Sequence, residues 1–166
     1  LAYVWNELVR SASEFNHTPG EKPRQVQAPP ADVVAAVAAG RRELSLSVNV
    51  SPIQFRRGDV EVSLRSALAA SGADAAGLEL EFGEVVLAQG GEPVSRCLAQ
   101  LKVLGLHLAL DDYGSGSSSL AALKRFGIDT LKVDRGFIAD LLSDPDASVI
   151  VRAAIDLARN LGLRLQ

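Results

Sequence analysis

The sequence predicts an α/β fold in which parallel βαβ units follow one another along the chain. Short β-prone segments alternate with amphipathic helical segments, an order that is typical of parallel sheets with right-handed crossovers. Hydrophobic residues make up 48% of the 166 residues, which is enough to build a buried core. Polar side chains recur near the carboxyl ends of the predicted strands, where parallel α/β proteins place their binding and catalytic groups.

The predicted strands are four segments whose sequences are alternating or largely apolar. They cover residues 44–50, 78–82, 106–110 and 130–134. Apolar residues at helical spacing predict the helices, which cover residues 60–71, 92–104, 118–126 and 146–161. Because a helical segment follows each strand, we expect neighbouring strands to run parallel.

The first part of the chain differs in composition from the βα units. Residues 11–30 are polar and rich in proline, which predicts a loop. Asp32 as N-cap and Gly40 as C-cap predict a short helix between them. We therefore divide the chain into an N-terminal helix and loop segment, residues 1–43, and a run of βα units, residues 44–166. Since the first residue is leucine rather than methionine, we expect a longer parent protein.

Composition and charge exclude several classes of protein. The net charge is −3 and lysines and arginines are not clustered, so we expect no duplex nucleic acid as a partner. No apolar run approaches the roughly 18 residues of a membrane span. The single cysteine, Cys97, cannot form an internal disulfide, which fits a reducing, cytoplasmic location. We expect Cys97 to pack in the core rather than to act as a nucleophile.

Oxygen donors stand at or near the ends of three predicted strands. They are Asn49, Glu81, Asp111 and Asp112. Hard cations such as Mg²⁺ or Mn²⁺ prefer oxygen ligands, and a divalent cation offsets the repulsion between carboxylates that share one pocket. Two adjacent aspartates can also serve two cations, which together clamp a phosphodiester for attack by water. Beside such cations, Lys132 could orient or deprotonate the water, or neutralise phosphate charge.

Each of these positions also has a purely structural interpretation. Asp111 and Asp112 precede a Gly/Ser-rich segment and could cap the helix that begins near residue 118. Glu79 and Glu81 share one face of an alternating strand, as in a solvated edge strand. For Lys132, which alternation places on the same face as Asp134, the structural alternative is a buried ion pair.

Four motifs contain these polar positions. They are SVNVS with Asn49, LELEFGE with Glu81 and Glu84, LALDDYGSGSSSL with Asp111 and Asp112, and LKVDRGF with Lys132. In combination they resemble the motifs of EAL domains, the cyclic di-GMP phosphodiesterases. The resemblance extends from about residue 44 to residue 165. A phosphoacceptor receiver domain also uses an acidic pair and a strand lysine, but it needs a strand-end aspartate between them, and Asp129 directly precedes the lysine strand instead.

The resemblance implies a (β/α)₈ TIM-type barrel, two Mg²⁺ or Mn²⁺ ions, and hydrolysis of cyclic di-GMP to linear pGpG. Lys132 would position or activate the water, and Glu84 would brace the DDYGSGSSS loop, which in this family couples metal binding to dimer contacts. It implies a metal ligand set in which Asp112 is shared between the ions, namely Asn49, Glu81, Asp111 and Asp112. A homodimer and further signalling domains in the parent protein are also expected, whereas no substrate-binding residue is assigned.

Two glutamates of the family pattern are missing. The Glu-Ala-Leu signature should precede Asn49, and Asn6-Glu7-Leu8 is only a faint echo of it. An Ala-Glu-Gly motif should follow Gly162, but the sequence ends at Gln166. A full barrel takes about 250 residues, so we expect an incomplete barrel here. We predict a phosphodiesterase parent and little or no activity for this chain alone. The alternative is a catalytically silent cyclic di-GMP receptor or a protein-interaction module.

Overall fold

The computed structural model describes residues 46–57, 59–89, 91–114 and 120–166. In these ranges the strands are β1 (Leu46–Asn49), β2 (Leu78–Gly83), β3 (His107–Tyr113), β4 (Thr130–Val133) and β5 (Arg164–Leu165). The α-helices are α1 (Pro52–Arg57), α2 (Asp59–Ser71), α3 (Glu84–Gln89), α4 (Gly91–Val103), α5 (Leu120–Phe126), α6 (Arg135–Ala139) and α7 (Pro145–Leu161). A 3₁₀ turn, Ala75–Gly77, leads into β2.

The five strands form one parallel sheet in the order β1-β2-β3-β4-β5. Each strand therefore pairs with the strand that follows it in the chain. A doubly wound sheet reverses its strand order at a switch point, whereas strands of a barrel keep the chain order. The predicted α/β fold with parallel βα units is confirmed, and its strand order is the order that a barrel requires.

Alternation along the strands separates an apolar face from a polar face. On β2, Leu78, Leu80 and Phe82 are buried, and the ring of Phe82 packs edge-on against Phe55 of α1 with 5.3 Å between centroids. Leucines of β3, α2 and α4 complete this core, including Leu64, Leu98, Leu101, Leu108 and Leu110. Helices thus cover one face of the sheet, and the opposite face carries the polar residues.

The longest helix, α7, shows how local sequence signals set the elements. Asp144 caps its amino end by accepting a hydrogen bond from the Asp146 N–H at 2.9 Å, and Pro145 follows at the first turn. Gly162 ends the helix with a φ of 69°, a conformation that glycine adopts without strain. No helix in the described ranges combines the length and the apolar character that a membrane crossing requires.

Several predicted elements differ from the observed ones. The third strand was expected over residues 106–110, but β3 continues through Asp111 and Asp112 to Tyr113. The sequence did not predict α1, α3, α6 or β5. The predicted loop at 11–30 and the predicted helix between Asp32 and Gly40 lie outside the described residues, as does the whole predicted N-terminal segment, residues 1–43.

Cys97 lies on α4 inside the hydrophobic core, as expected. Burial raises the pKa of its thiol to about 11, so the thiol is protonated at neutral pH. The prediction that Cys97 packs rather than reacts agrees with this environment.

Candidate metal centre

Strand register brings three of the predicted ligands to one face of the sheet. Asn49 of β1 pairs with Glu81 of β2, which in turn pairs with Ala109 of β3. Asp111 stands two residues after Ala109 and therefore points to the same face. Asn49, Glu81 and Asp111 thus occupy neighbouring strands near the carboxyl ends of a parallel sheet, where a site is expected.

A β-bulge in β3 adds the second aspartate. Leu110 pairs with Leu131 and Tyr113 pairs with Val133, so Asp111 and Asp112 together stand opposite the single residue Lys132. Asp112 has a φ of 56°, which is uncommon outside glycine, and its N–H donates to Asp111 Oδ1 at 3.0 Å. Both aspartates lie inside β3, and residues 115–119, where the cap of the following helix was expected, lie outside the described residues.

Lys132 forms an ion pair across the sheet. Its Nζ donates a hydrogen bond to Glu81 Oε1 and lies 3.9 Å from Glu79 Oε1. The lysine side chain is 19% exposed. Asp134, which alternation placed on the same face, stands beyond β4 and caps α6 by accepting from the Gly136 N–H at 2.6 Å. The glutamates of β2 therefore neutralise the positive charge of Lys132.

Glu79 and Glu81 do not lie on a solvated edge strand, so that interpretation is wrong. β2 is paired on both sides, with β1 and with β3. Glu79 is 2% exposed and Glu81 is 7% exposed. Basic and hydroxyl side chains from β1, β4 and β5 surround both carboxylates, which offsets the cost of removing them from water.

The pKa of Asp111 is shifted by its burial and by the charged groups around it. Burial raises the pKa of this carboxyl above its usual value, and the negative charges of Asp112 and Glu81 raise it further. The Asp112 N–H and the Lys132 ammonium act in the opposite direction. Three carboxyl groups therefore lie within electrostatic reach of one another, and a divalent cation among them would offset their repulsion.

The donor set fits a hard cation in its chemistry and its placement. All predicted ligands offer oxygen atoms, which Mg²⁺ and Mn²⁺ prefer. In the described part of the chain, however, no group of three or more Asp, Glu, His or Cys side chains is assembled as a metal site. Glu81 is engaged by Lys132, and Asn49 and Asp112 are exposed. A cation at Glu81 would thus compete with the lysine ammonium for this carboxylate.

Glu84 connects α3 to the segment that follows β3. Its side chain is buried, and its Oε1 accepts a hydrogen bond from the Gly114 N–H at 3.1 Å. Gly114 has a φ of 103°, and a Cβ at this position would lie 2.8 Å from Phe137 Cε2. Only glycine fits here, because the backbone directly after β3 passes close to Phe137 of α6 at the residue that Glu84 binds. Glu84 was predicted from the sequence, whereas Gly114 and its contact with Phe137 were not.

Glu79 is the polar residue of this face that the sequence analysis treated only as a structural alternative. The alternation of LELEF places it on the same face as Glu81, which is the one signal that could have identified it. Its partners could not be read from the chain, because they come from β1, β4 and β5.

Comparison with known proteins identifies similar sequences. The family model of the EAL domain matches residues 31–165. MucR of Pseudomonas aeruginosa, named a bifunctional diguanylate cyclase/cyclic di-GMP phosphodiesterase, is 36% identical over 126 residues. The aligned region covers 76% of this chain and 18% of MucR. The chain thus spans less than a fifth of the length of the first curated relatives that it matches.

Solved structures of cyclic di-GMP-binding proteins are also similar to this chain. The structure described as PaMucR phosphodiesterase, c-di-GMP complex, superimposes with a TM-score of 0.72 at 35% identity, covering 76% of this chain and 51% of that chain. A manganese/cy-diGMP complex of Klebsiella pneumoniae BlrP1 superimposes with a TM-score of 0.66 at 27% identity, covering 81% of this chain and 36% of that chain.

Proposed function

Because this chain belongs to the EAL domain family, we propose that its parent protein is a divalent-cation-dependent phosphodiesterase that hydrolyses cyclic di-GMP to pGpG. The five consecutive parallel strands form part of the TIM-type barrel of this family. The bulge in β3 is the observation that supports the function best, since it sets two aspartates opposite Lys132 beside the buried Glu81. Such a bulge next to a site re-aims side chains, and here it concentrates carboxylates.

The proposed ligands of Mg²⁺ or Mn²⁺ are Asn49, Glu81, Asp111 and Asp112, with Asp112 shared between two ions. Manganese in the BlrP1 complex with cyclic di-GMP supports the use of a divalent cation in this family. Bound cations would polarise the phosphodiester and acidify the attacking water. The acidic side chains of this chain would supply the negative charge that holds the cations against the sheet.

Lys132 is proposed to act on the water and the phosphate. Lys132 would position or activate the attacking water and balance the charge that develops on the phosphate oxygens. Its side chain is only 19% exposed, which limits its range of positions. Glu84 is proposed to brace the segment after β3 through its hydrogen bond with Gly114.

The 166-residue chain by itself is expected to turn over little substrate. Its sequence contains neither a Glu-Ala-Leu nor an Ala-Glu-Gly motif, so two glutamates of the family pattern are missing from it. The pairing of Glu81 with Lys132 favours a second candidate, a catalytically silent module that binds cyclic di-GMP or a partner protein. A homodimer and additional signalling domains remain predictions of the family membership.

Metal and nucleotide binding by the 166-residue chain separate these candidates. Mn²⁺ binding is measured as the loss of the free-ion signal in electron paramagnetic resonance. The proteins compared are the wild type, Asp111→Asn and the control Asp156→Asn, which changes an exposed aspartate on α7. We expect Asp111→Asn to weaken Mn²⁺ binding and Asp156→Asn to leave it unchanged. Failure of the wild type to bind Mn²⁺ would overturn the metal centre.

Calorimetry with cyclic di-GMP and chromatography of the product then test the substrate. Binding without pGpG formation supports the expectation for the chain alone and is also what the silent module predicts. The same assays on the full-length parent protein distinguish the two candidates, because only the phosphodiesterase then produces pGpG. Absence of any cyclic di-GMP binding in the full-length protein would contradict the phosphodiesterase and the cyclic di-GMP receptor, and would leave only the protein-interaction module. Rapid turnover by the 166-residue chain would contradict its expected inactivity.

A further inference from the structure

A second polar layer lies directly beneath the proposed metal ligands. Its centre is Glu79, which is 2% exposed and stands two residues before Glu81 on the same face of β2. Glu79 Oε1 accepts from Ser47 Oγ at 3.2 Å, and Glu79 Oε2 accepts from Thr130 Oγ1 and from Arg164 at 2.8 Å each. These partners come from β1, β4 and β5. Two hydroxyl groups and a guanidinium therefore hold the buried side chain of Glu79 at a fixed position.

Lys132 lies between this buried carboxylate and the ligand layer. Its Nζ donates to Glu81 Oε1, while Glu79 Oε1 lies 3.9 Å away. A normal N–H···O hydrogen bond is about 2.9 Å long, so a shift of roughly 1 Å would bring the ammonium into hydrogen-bond contact with Glu79. The flexible stem of lysine permits such a shift without movement of the backbone. Glu81 belongs to the proposed ligand set, and Glu79 does not.

We propose that Glu79 is a positioning residue that retains the Lys132 ammonium in the site when a divalent cation takes Glu81. This inference rests on the proposed function. A cation at Glu81 competes with Lys132 for this carboxylate and repels the ammonium. With Glu79 next to it, Lys132 keeps a buried counter-ion and stays beside the reacting phosphate. Without Glu79, a cation that displaces Lys132 from Glu81 would leave the ammonium unpaired in a largely buried position.

A double-mutant cycle on Mn²⁺ affinity tests this role. Glu79→Gln keeps the shape of the side chain and removes its charge, and Lys132→Met removes the ammonium. We expect Glu79→Gln to weaken Mn²⁺ binding on the order of tenfold when Lys132 is present, the range typical of residues that support metal ligands. In the Lys132→Met background the same change is expected to weaken binding less than about twofold. Glu61→Gln, which alters a surface glutamate paired with Arg65, is the matched control.

The outcomes of the cycle differ for the two proposals. If Glu79→Gln weakens Mn²⁺ binding equally in both backgrounds, the charge of Glu79 acts on the metal ion directly and not through Lys132. This result would overturn the inference. Wild-type affinity in Glu79→Gln would overturn it as well, while leaving the proposed metal centre intact. Failure of the wild type to bind Mn²⁺ would instead overturn the metal centre and the inference with it.

A second measurement uses the unaltered protein, so it does not depend on the folding of any variant. Selective ¹⁵N labelling of lysine makes the Nζ–H₃ signal of Lys132 visible by NMR when the ammonium is held in hydrogen bonds. We expect this signal to shift but persist on saturation with diamagnetic Mg²⁺, because Glu79 replaces Glu81 as acceptor. Loss of the signal by rapid exchange with water would overturn the inference.

Discussion

Replacing Lys132 with methionine should destabilise the cation-free protein substantially. Removing one partner from a buried ion pair costs about 3–5 kcal/mol, because the other charge is left buried and unpaired. Here the side chains of Lys132 and Glu81 are 19% and 9% exposed, so water compensates in part. Glu79 loses little, since it keeps Arg164 and Thr130. We therefore expect a loss of about 2–3 kcal/mol, which corresponds to a decrease in Tm of roughly 5–10 °C.

Urea unfolding followed by circular dichroism at pH 7 without divalent cations measures this loss. The double variant Lys132→Met/Glu81→Gln should be more stable than the sum of the two single changes predicts, because no unpaired charge remains. Lys102→Met is the matched control, since Lys102 pairs with Asp129 at 2.6 Å with side chains 33% and 26% exposed. We expect the control to lose about 1 kcal/mol or less. A loss in Lys132→Met below about 0.5 kcal/mol, or no larger than in the control, would show that Lys132 and Glu81 do not behave as a buried ion pair.

Three further predictions concern other parts of the structure. Gly114→Ala should lower stability by about 2–4 kcal/mol in thermal unfolding, because it combines a φ of 103° with a Cβ 2.8 Å from Phe137; an unchanged Tm would contradict this packing. Asp111→Asn should raise the Tm of the cation-free protein at pH 7. The raised pKa of Asp111 means that the folded state holds its proton more tightly than the unfolded state, so stability falls as pH rises above 3.8 toward the raised pKa. The advantage of Asp111→Asn should therefore vanish below pH 3.8, and a pH-independent difference would contradict that cause. Cys97 should react with a disulfide reagent at pH 8 only as fast as the protein unfolds, because its thiol is buried with a pKa of about 11; fast reaction of the folded protein would contradict its burial.

The repeated strand and helix pattern was readable from the sequence because it depends on local periodicity. LELEF alternates strictly, and β2 was placed correctly. The helices α1, α3 and α6 have only five or six residues each, which is too short to show a helical period. The two-residue strand β5 is defined by its pairing with β4. The local sequence of residues 164–165 does not predict that pairing.

The composition of the candidate site was predictable, but its geometry was not. The polar residues at strand ends identified Glu81, Asp111 and Lys132. The bulge at Asp111 and Asp112 depends on how β3 aligns with β4, which is a property of two distant segments. The interpretation of Glu79 and Glu81 as solvent-exposed was wrong for a related reason. Glutamates on an alternating strand are usually solvated, and here partners from three other strands keep them buried.

We place a divalent cation among Glu81, Asp111 and Asp112 on the polar face of the sheet. Anomalous diffraction at the manganese absorption edge, measured on crystals of the 166-residue chain grown with Mn²⁺, locates such a cation without assuming its ligands. We expect an anomalous peak among the carboxylates of these three residues, with the Lys132 ammonium moved from Glu81 toward Glu79. A map without a peak at these carboxylates, in crystals with Glu81 still bonded to Lys132, would overturn the proposed metal centre.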